Sequence, residues 1–272
     1  MAKTRKPTVE EWWRRNLTGH GGPMRLERTL LKVLPHDPRC KLCNAPFRGV
    51  GGLLMRLTGR RPWAKNPNIC TICERSARKY RGGAEIELTL LFADVRGSTG
   101  VAETMSPLEF SALMNRFYGA ATRVLIQTDA VIDKLVGDEV IGLYLPFVKE
   151  GPARGIEAAQ ELLGATGHAD ATGPWLPVGV GVHTGVAFVG IVGSEDTVTD
   201  FTALGDAVNV TARLASNAAG GEILVSEAAL AAAGISGDGL ERRRLELKGR
   251  HEPIGVRVLR ATDRIEVPTV AR

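Results

Sequence analysis

A chain of 272 residues, 44 % of them hydrophobic, is long enough to bury the core of one or two domains. No apolar run reaches 18 residues and no signal-peptide core is present, which excludes a helical membrane span within this sequence and leads to the expectation of a soluble, cytoplasmic protein. The formal charge of +5 hides a sharp division: of 35 Lys/Arg and 30 Asp/Glu, residues 1–83 hold 19 and 5, a net of +14, leaving the remainder at −9.

The basic part opens with a short amphipathic helix, expected over 8–16 and carrying Trp12 and Trp13. All four cysteines follow in two pairs, Cys40-Lys41-Leu42-Cys43 and Cys70-Thr71-Ile72-Cys73. A Cys-x-x-Cys turn puts two thiolates at one corner, and two such corners complete a tetrahedron. In a reducing compartment that pattern points to a metal rather than to disulfides. The 26 residues between Cys43 and Cys70 exceed the usual spacing, so the intervening segment needs structure of its own, with Leu53-Leu54-Met55-Arg56-Leu57 as the candidate helix. Structural Zn²⁺ is the first expectation, an iron–sulfur cluster the alternative, and free buried thiols the remainder. With little core available, a bound ion would supply much of this segment's folding energy. His20 and His36 read as surface residues, not ligands. A connecting helix over 73–81 leads to Arg81-Gly82-Gly83, where the charge changes sign and a domain boundary is expected. A basic module beside an acidic one would dock on it, with nucleic acid or an anionic lipid surface as alternative partners.

The acidic part reads as strand 86–94, a long helix over 106–127, a hairpin over 130–145 and a helix over 151–166. Strands 177–192 and 197–202, a helix over 205–216, strand 222–225, a short helix 226–232 and strands 241–248 and 254–260 complete it. Helices alternating with antiparallel hairpins predict an α+β fold with a ferredoxin-like βαββαβ core and extra C-terminal strands. Asp94 ends the run Leu88-Thr89-Leu90-Leu91-Phe92-Ala93, and Asp138 sits in the turn Gly137-Asp138-Glu139, 44 residues later. Either alone is an ordinary surface turn residue. If their strands are neighbours, however, the carboxylates meet at one sheet edge and can hold hard cations against a polyphosphate. Asn209 and Arg213 lie four apart on an expected helix and share a face, with Arg offering a fixed fork of donors suited to phosphate. Lys248 closes an alternating strand, and His183 reads as structural.

Five phrases, in order, resemble the catalytic domain of class III adenylyl/guanylyl cyclases over roughly residues 85–262. They are Leu91-Phe92-Ala93-Asp94-Val95-Arg96-Gly97-Ser98-Thr99, Asp133-Lys134-Leu135-Val136-Gly137-Asp138-Glu139, Gly181-Val182-His183-Thr184-Gly185, Leu204-Gly205-Asp206-Ala207-Val208-Asn209-Val210-Thr211-Ala212-Arg213-Leu214 and Leu247-Lys248-Gly249. The resemblance implies that Asp94 and Asp138 bind two divalent ions, Mg²⁺ or Mn²⁺. It implies that Lys134 and Thr202 recognise the base, favouring ATP, as in a bacterial subgroup with Thr at the second position. Asn209 and Arg213 match the pair that orients the ribose and stabilises the transition state, and Lys248 matches a triphosphate-binding Lys. The implied enzyme is an adenylate cyclase working as a homodimer with composite sites. The domain reading is then a basic four-cysteine module at 1–83, the cyclase domain at 84–262 and a loose tail at 263–272. A diguanylate-cyclase or polymerase-palm relative shares the fold, but Gly-Gly-Asp-Glu-Phe is absent. The other alternative is a non-enzymatic nucleotide sensor whose basic module binds nucleic acid.

Overall fold

The computed structural model describes residues 7–19, 22–34, 38–64, 66–193, 199–246 and 252–265, the side chains of 22–25 excepted. The chain runs α1 (Val9–Leu17), α2 (Gly22–Lys32), α3 (Gly49–Leu57), α4 (Thr71–Lys79), β1 (Gly82–Val95), α5 (Ser98–Thr104) and α6 (Pro107–Gln127). Then come β2 (Val131–Val136), β3 (Glu139–Tyr144), α7 (Gly151–Ala165), β4 (Val178–Gly193) and β5 (Thr199–Leu204). The last elements are α8 (Asp206–Asn217), β6 (Ile223–Ser226), α9 (Glu227–Ala233), β7 (Glu241–Leu245) and β8 (Ile254–Leu259). The backbone divides into two units. One comprises Met1–Glu87, Leu145–Lys149 and Val186–Leu204; the other comprises Leu88–Tyr144, Glu150–Gly185 and Gly205–Arg272.

In the second unit the strands lie in the order β2-β3-β1-β4-β6-β8-β7. The first four of these, linked by α6 and α7, make the βαββαβ ferredoxin-like core expected from the sequence, and β6, β8 and β7 are the extra C-terminal strands. Local chemistry fixes the long helix: Ser106 and Glu109 form a capping box and Pro107 presets its first turn. From there Phe117, Ala121 and Leu125 turn one buried face inward, and α6 packs on α7, β2 and β3. Helix α8 is held differently. Its Val210, Leu214 and Ala218 cluster with Leu224, Val256 and Val258. The helix lies so close to β4 that a Cβ at Gly181 would sit 2.5 Å from the Ala215 nitrogen and 2.6 Å from the Thr211 oxygen. Burying Val210 and Leu214 contributes about 1.5–3 kcal/mol each and leaves the opposite face of α8 to solvent.

In the first unit, Thr8 and Glu11 form the capping box of α1, whose buried residues are Trp13 and Leu17. Helix α3 supplies the structure expected between the cysteine pairs. Helix α4 starts two residues earlier than the sequence suggests, because the Cys70 side chain is its N-cap. Strand β1 is longer than the expected 86–94 and takes in Gly82 and Gly83. Those glycines do not break the strand; Gly83 permits a close pass of β4, since a Cβ there would lie 2.4 Å from the Val189 oxygen, and a Cβ at Gly190 would lie 2.2 Å from the Gly82 oxygen. Strand β5 pairs with β4 alone among the described strands, Thr202 opposite Gly190.

Candidate active site and metal centre

Antiparallel pairing of β1 with β3 sets Asp94 opposite Glu139, and the Val95 N–H donates to the Asp138 carbonyl at 3.1 Å. The two aspartates, 44 residues apart in sequence, therefore meet at one strand end. The Ser98 hydroxyl donates to the Asp138 carboxylate. Arg96 ion-pairs with Asp94, donates to the Ser216 carbonyl at 2.9 Å, and its own N–H donates to the Pro177 carbonyl at 2.8 Å. Burial pushes the Asp94 carboxyl above the ordinary range, Arg96 opposes that, and Asp138 adds to it. The Glu139 carboxyl is pushed up to about 7, first by burial and then by Asp94 and Asp138. Three carboxyls converge here with one arginine among them, so the edge accepts negative charge reluctantly without a further cation. Half-buried hard oxygen donors are the set that Mg²⁺ or Mn²⁺ prefers, and the site fits such ions.

Lys134 lies on β2, where the register to β3 skips a residue between Ile132 and Lys134. Thr202 is 1 % exposed in the first unit's β5. Asn209 and Arg213 are both exposed and one turn apart on α8, as the spacing predicts. The Arg213 carbonyl accepts from Asn217 Nδ2 at 2.8 Å, tying the helix end beneath it. His183 Nδ1 is 2.8 Å from the Ser226 hydroxyl, consistent with a structural part. Lys248, His20 and His36 lie outside the described residues. Sequence reasoning missed Arg96 and Ser98 as partners of the carboxylates. Arg96 stands two residues after Asp94, the period that returns a strand side chain to the same face, and that was the available signal.

The four cysteines form the second centre. Cys40, Cys43, Cys70 and Cys73 are all buried and their sulfurs lie within 4.8 Å of one another. Each pair sits on a turn that fixes it: the Asn44 N–H donates to the Cys40 carbonyl at 2.8 Å, and the Cys70 and Cys73 N–H groups reach Cys40 Sγ and Cys70 Sγ at 3.2 and 3.4 Å. The Cys40–Cys73 and Cys43–Cys70 sulfurs are each 3.8 Å apart. That is far beyond a disulfide bond of about 2.05 Å. It equals the edge, about 3.8 Å, of a tetrahedron with metal–sulfur bonds of about 2.3 Å. The thiols shift in opposite directions: hydrogen bonds with Cys40 push the Cys43 and Cys73 thiols up, while hydrogen bonds from Cys40, Cys43 and Cys73 push the Cys70 thiol down. The four residues are positioned to hold one metal ion.

Among the described residues no helix is long and apolar enough to cross a membrane. A search of known proteins places these observations. An adenylate cyclase of Anabaena cylindrica is 30 % identical over 138 residues, covering 47 % of this chain and 26 % of that protein, so the chain spans about a quarter of that relative's length. The solved guanylyl cyclase Cya2 is 28 % identical with a TM-score of 0.59, covering 65 % of this chain and 93 % of that one. The adenylyl cyclase CyaB of P. aeruginosa is 26 % identical with a TM-score of 0.53, covering 64 % and 94 %. The model of the adenylate and guanylate cyclase catalytic domain matches residues 84–259, and the chain belongs to that family.

Proposed function

We propose that this protein converts ATP to 3′,5′-cyclic AMP and pyrophosphate. The observation that carries the reading is the meeting of Asp94 and Asp138 at the β1–β3 edge. In the cyclisation the ribose 3′-oxygen attacks the α-phosphorus, a P–O bond forms, the bond to the β-phosphate oxygen breaks, and pyrophosphate leaves with the electron pair while the hydroxyl proton passes to solvent. Mg²⁺ or Mn²⁺ held by Asp94 and Asp138 would supply a lowered pKa for the 3′-hydroxyl and charge neutralisation on the phosphates. Arg213, exposed on a helix anchored by its other face, offers a planar fork to the α-phosphoryl oxygens as charge gathers on them. Asn209, one turn away, orients the ribose. Lys248 binds the triphosphate. Relatives of both base specificities resemble the chain, so the choice of ATP rests on Lys134 and Thr202, a donor and a donor–acceptor for the adenine edge.

The proposal extends to organisation. Residues 1–83 form the basic module, 84–262 the cyclase domain and 263–272 a tail, and two copies related by a two-fold axis share two composite sites. Zn²⁺ is the ion proposed for the four cysteines. Support comes from sulfur spacing that suits a single tetrahedral ion, whereas an iron–sulfur cluster spreads its cysteines over several irons. The test is incubation of the purified chain with ATP or GTP and Mn²⁺, with products separated by chromatography. Cyclic AMP from ATP is expected, at least tenfold faster than cyclic GMP from GTP. Equal or faster GTP turnover contradicts the base assignment, and no cyclic product from either contradicts the enzymatic reading in favour of a nucleotide sensor.

A further inference from the structure

Strand β5 carries Thr202 yet pairs with β4 on one side only among the described strands. An edge strand held along one side opens easily, and a side chain that reads a base needs a rigid backbone. What lies against β5 within the same unit is the cysteine module. On α4, Arg78 Nη1 donates to the Thr199 hydroxyl at 2.8 Å, at the first residue of β5. On α1, the Trp13 ring stacks on Phe201 with centroids 6.1 Å apart, one residue before Thr202. Trp13 is itself fixed, its indole N–H donating to the Tyr80 carbonyl just after α4, and Trp12 stacks on the Tyr80 ring at 4.4 Å. A small apolar cavity of about 30 Å³ runs between these parts, with Trp13, Trp63, Cys73, Ala77, Ile191 and Phe201 among its walls. Helix α4 is anchored at its other end by the thiols, with Cys70 as its N-cap and Cys73 in its first turn.

We propose that the four-cysteine centre sets base recognition by bracing β5: an ion held at Cys40, Cys43, Cys70 and Cys73 fixes α4, and Arg78 and Trp13 are positioning residues that hold the strand of Thr202. The inference rests on the proposed role of Thr202 and adds a regulatory input to it. Loss of the ion by chelation releases the start of α4 and with it both contacts to β5. The consequence is weaker nucleotide binding more than slower chemistry, because Asp94, Asp138, Asn209 and Arg213 are held by other elements.

The experiment uses the full chain, before and after metal removal with a chelator under reducing conditions, and reads amide hydrogen exchange together with steady-state kinetics. Exchange at residues 199–204 is expected to speed up at least tenfold on metal removal while that at 223–226 is unchanged, and KM for ATP to rise about fivefold with kcat within twofold. Because stripping could unfold the module, Arg78→Ala in the metal-loaded chain is the second arm. It should speed exchange at 199–204 about threefold and raise KM in proportion with metal content intact, and Arg78→Lys should recover most of both. Arg75→Ala, exposed on the same helix, should change neither. Unchanged exchange at 199–204 in both arms overturns the proposal. Faster exchange with KM unmoved also overturns it, since β5 would then be braced by the module without setting base recognition. A loaded chain that makes no cyclic nucleotide defeats the cyclase reading instead, and the exchange arms still decide whether the module braces β5.

Discussion

The two centres of this chain differ in how they are closed. The four cysteines are 0–4 % exposed, and the Cys70 and Cys73 N–H groups donate to the Cys40 and Cys70 sulfurs. Asp94 and Asp138 stand half-exposed at a strand end, with Arg96 and Ser98 as their protein partners. A closed tetrahedron saturates its ion and works as a structural staple; an open carboxylate edge leaves room for substrate oxygens. The charge follows the same line, with +14 on the segment that gathers the four thiols and −9 on the part that gathers the carboxylates. Under the proposed function, the thiol centre serves folding and the carboxylate edge serves reactivity.

If that contrast is right, Asp94→Ala or Asp138→Ala should lower turnover on the order of 10³-fold or more while the melting temperature moves by only a few degrees. A large loss of stability would mean that the carboxylates are structural after all. Arg213→Ala comes next, with kcat down on the order of 10²–10³-fold and KM little changed, because an exposed fork aimed at developing charge contributes mainly in the transition state. A change in KM alone would assign Arg213 to ground-state binding. The reverse pattern is expected of Cys43→Ser. It should abolish stoichiometric zinc in elemental analysis and produce an early calorimetric transition for the basic module, separate from that of the sheet. A single shared transition would show one cooperative unit.

The smallest effect is a pH limb. His168 Nε2 accepts the Val178 N–H at 3.0 Å, at the start of β4, and burial pushes its imidazole below the ordinary value. The neutral ring's contribution is full above about pH 6.5, the ordinary imidazole value. As pH falls from there the unfolded chain takes up the proton before the folded one, so stability declines through the lowered folded value. His168→Gln does not titrate, and its urea midpoint should fall less between pH 7 and 5; an equal fall in both chains assigns the acid limb to other groups.

Much of this was legible in the sequence because it is written in local patterns. The capping box Ser106–Glu109 starts α6 within one residue of expectation, and the turn Gly137-Asp138 marks the hairpin that brings Asp138 to Asp94. The cysteine spacing announced both a metal-type centre and the need for α3. Other features depend on partners far away in the chain. Helix α5 has no buried residue and so no apolar stripe to announce it, and its N-cap Gly97 reads as a turn. Gly82 and Gly83 look like a break but lie in a strand: Gly82 takes a positive φ, and a Cβ at Gly83 would meet Val189 and Phe188, more than a hundred residues on. The Arg96–Asp94 ion pair needed the sheet edge to be formed before its purpose was visible.

The central claim is that the carboxylates and the Asn/Arg helix complete one active site across two copies of the chain. Its most direct test mixes two inactive chains, Asp94→Ala and Arg213→Ala, under conditions where subunit exchange is demonstrated by differential labelling. Each mixed dimer regenerates one intact site, so cyclic AMP production should return to about half the wild-type rate per mixed dimer. Activity that stays at the level of the separate variants despite full exchange contradicts the composite site and confines each site to a single chain.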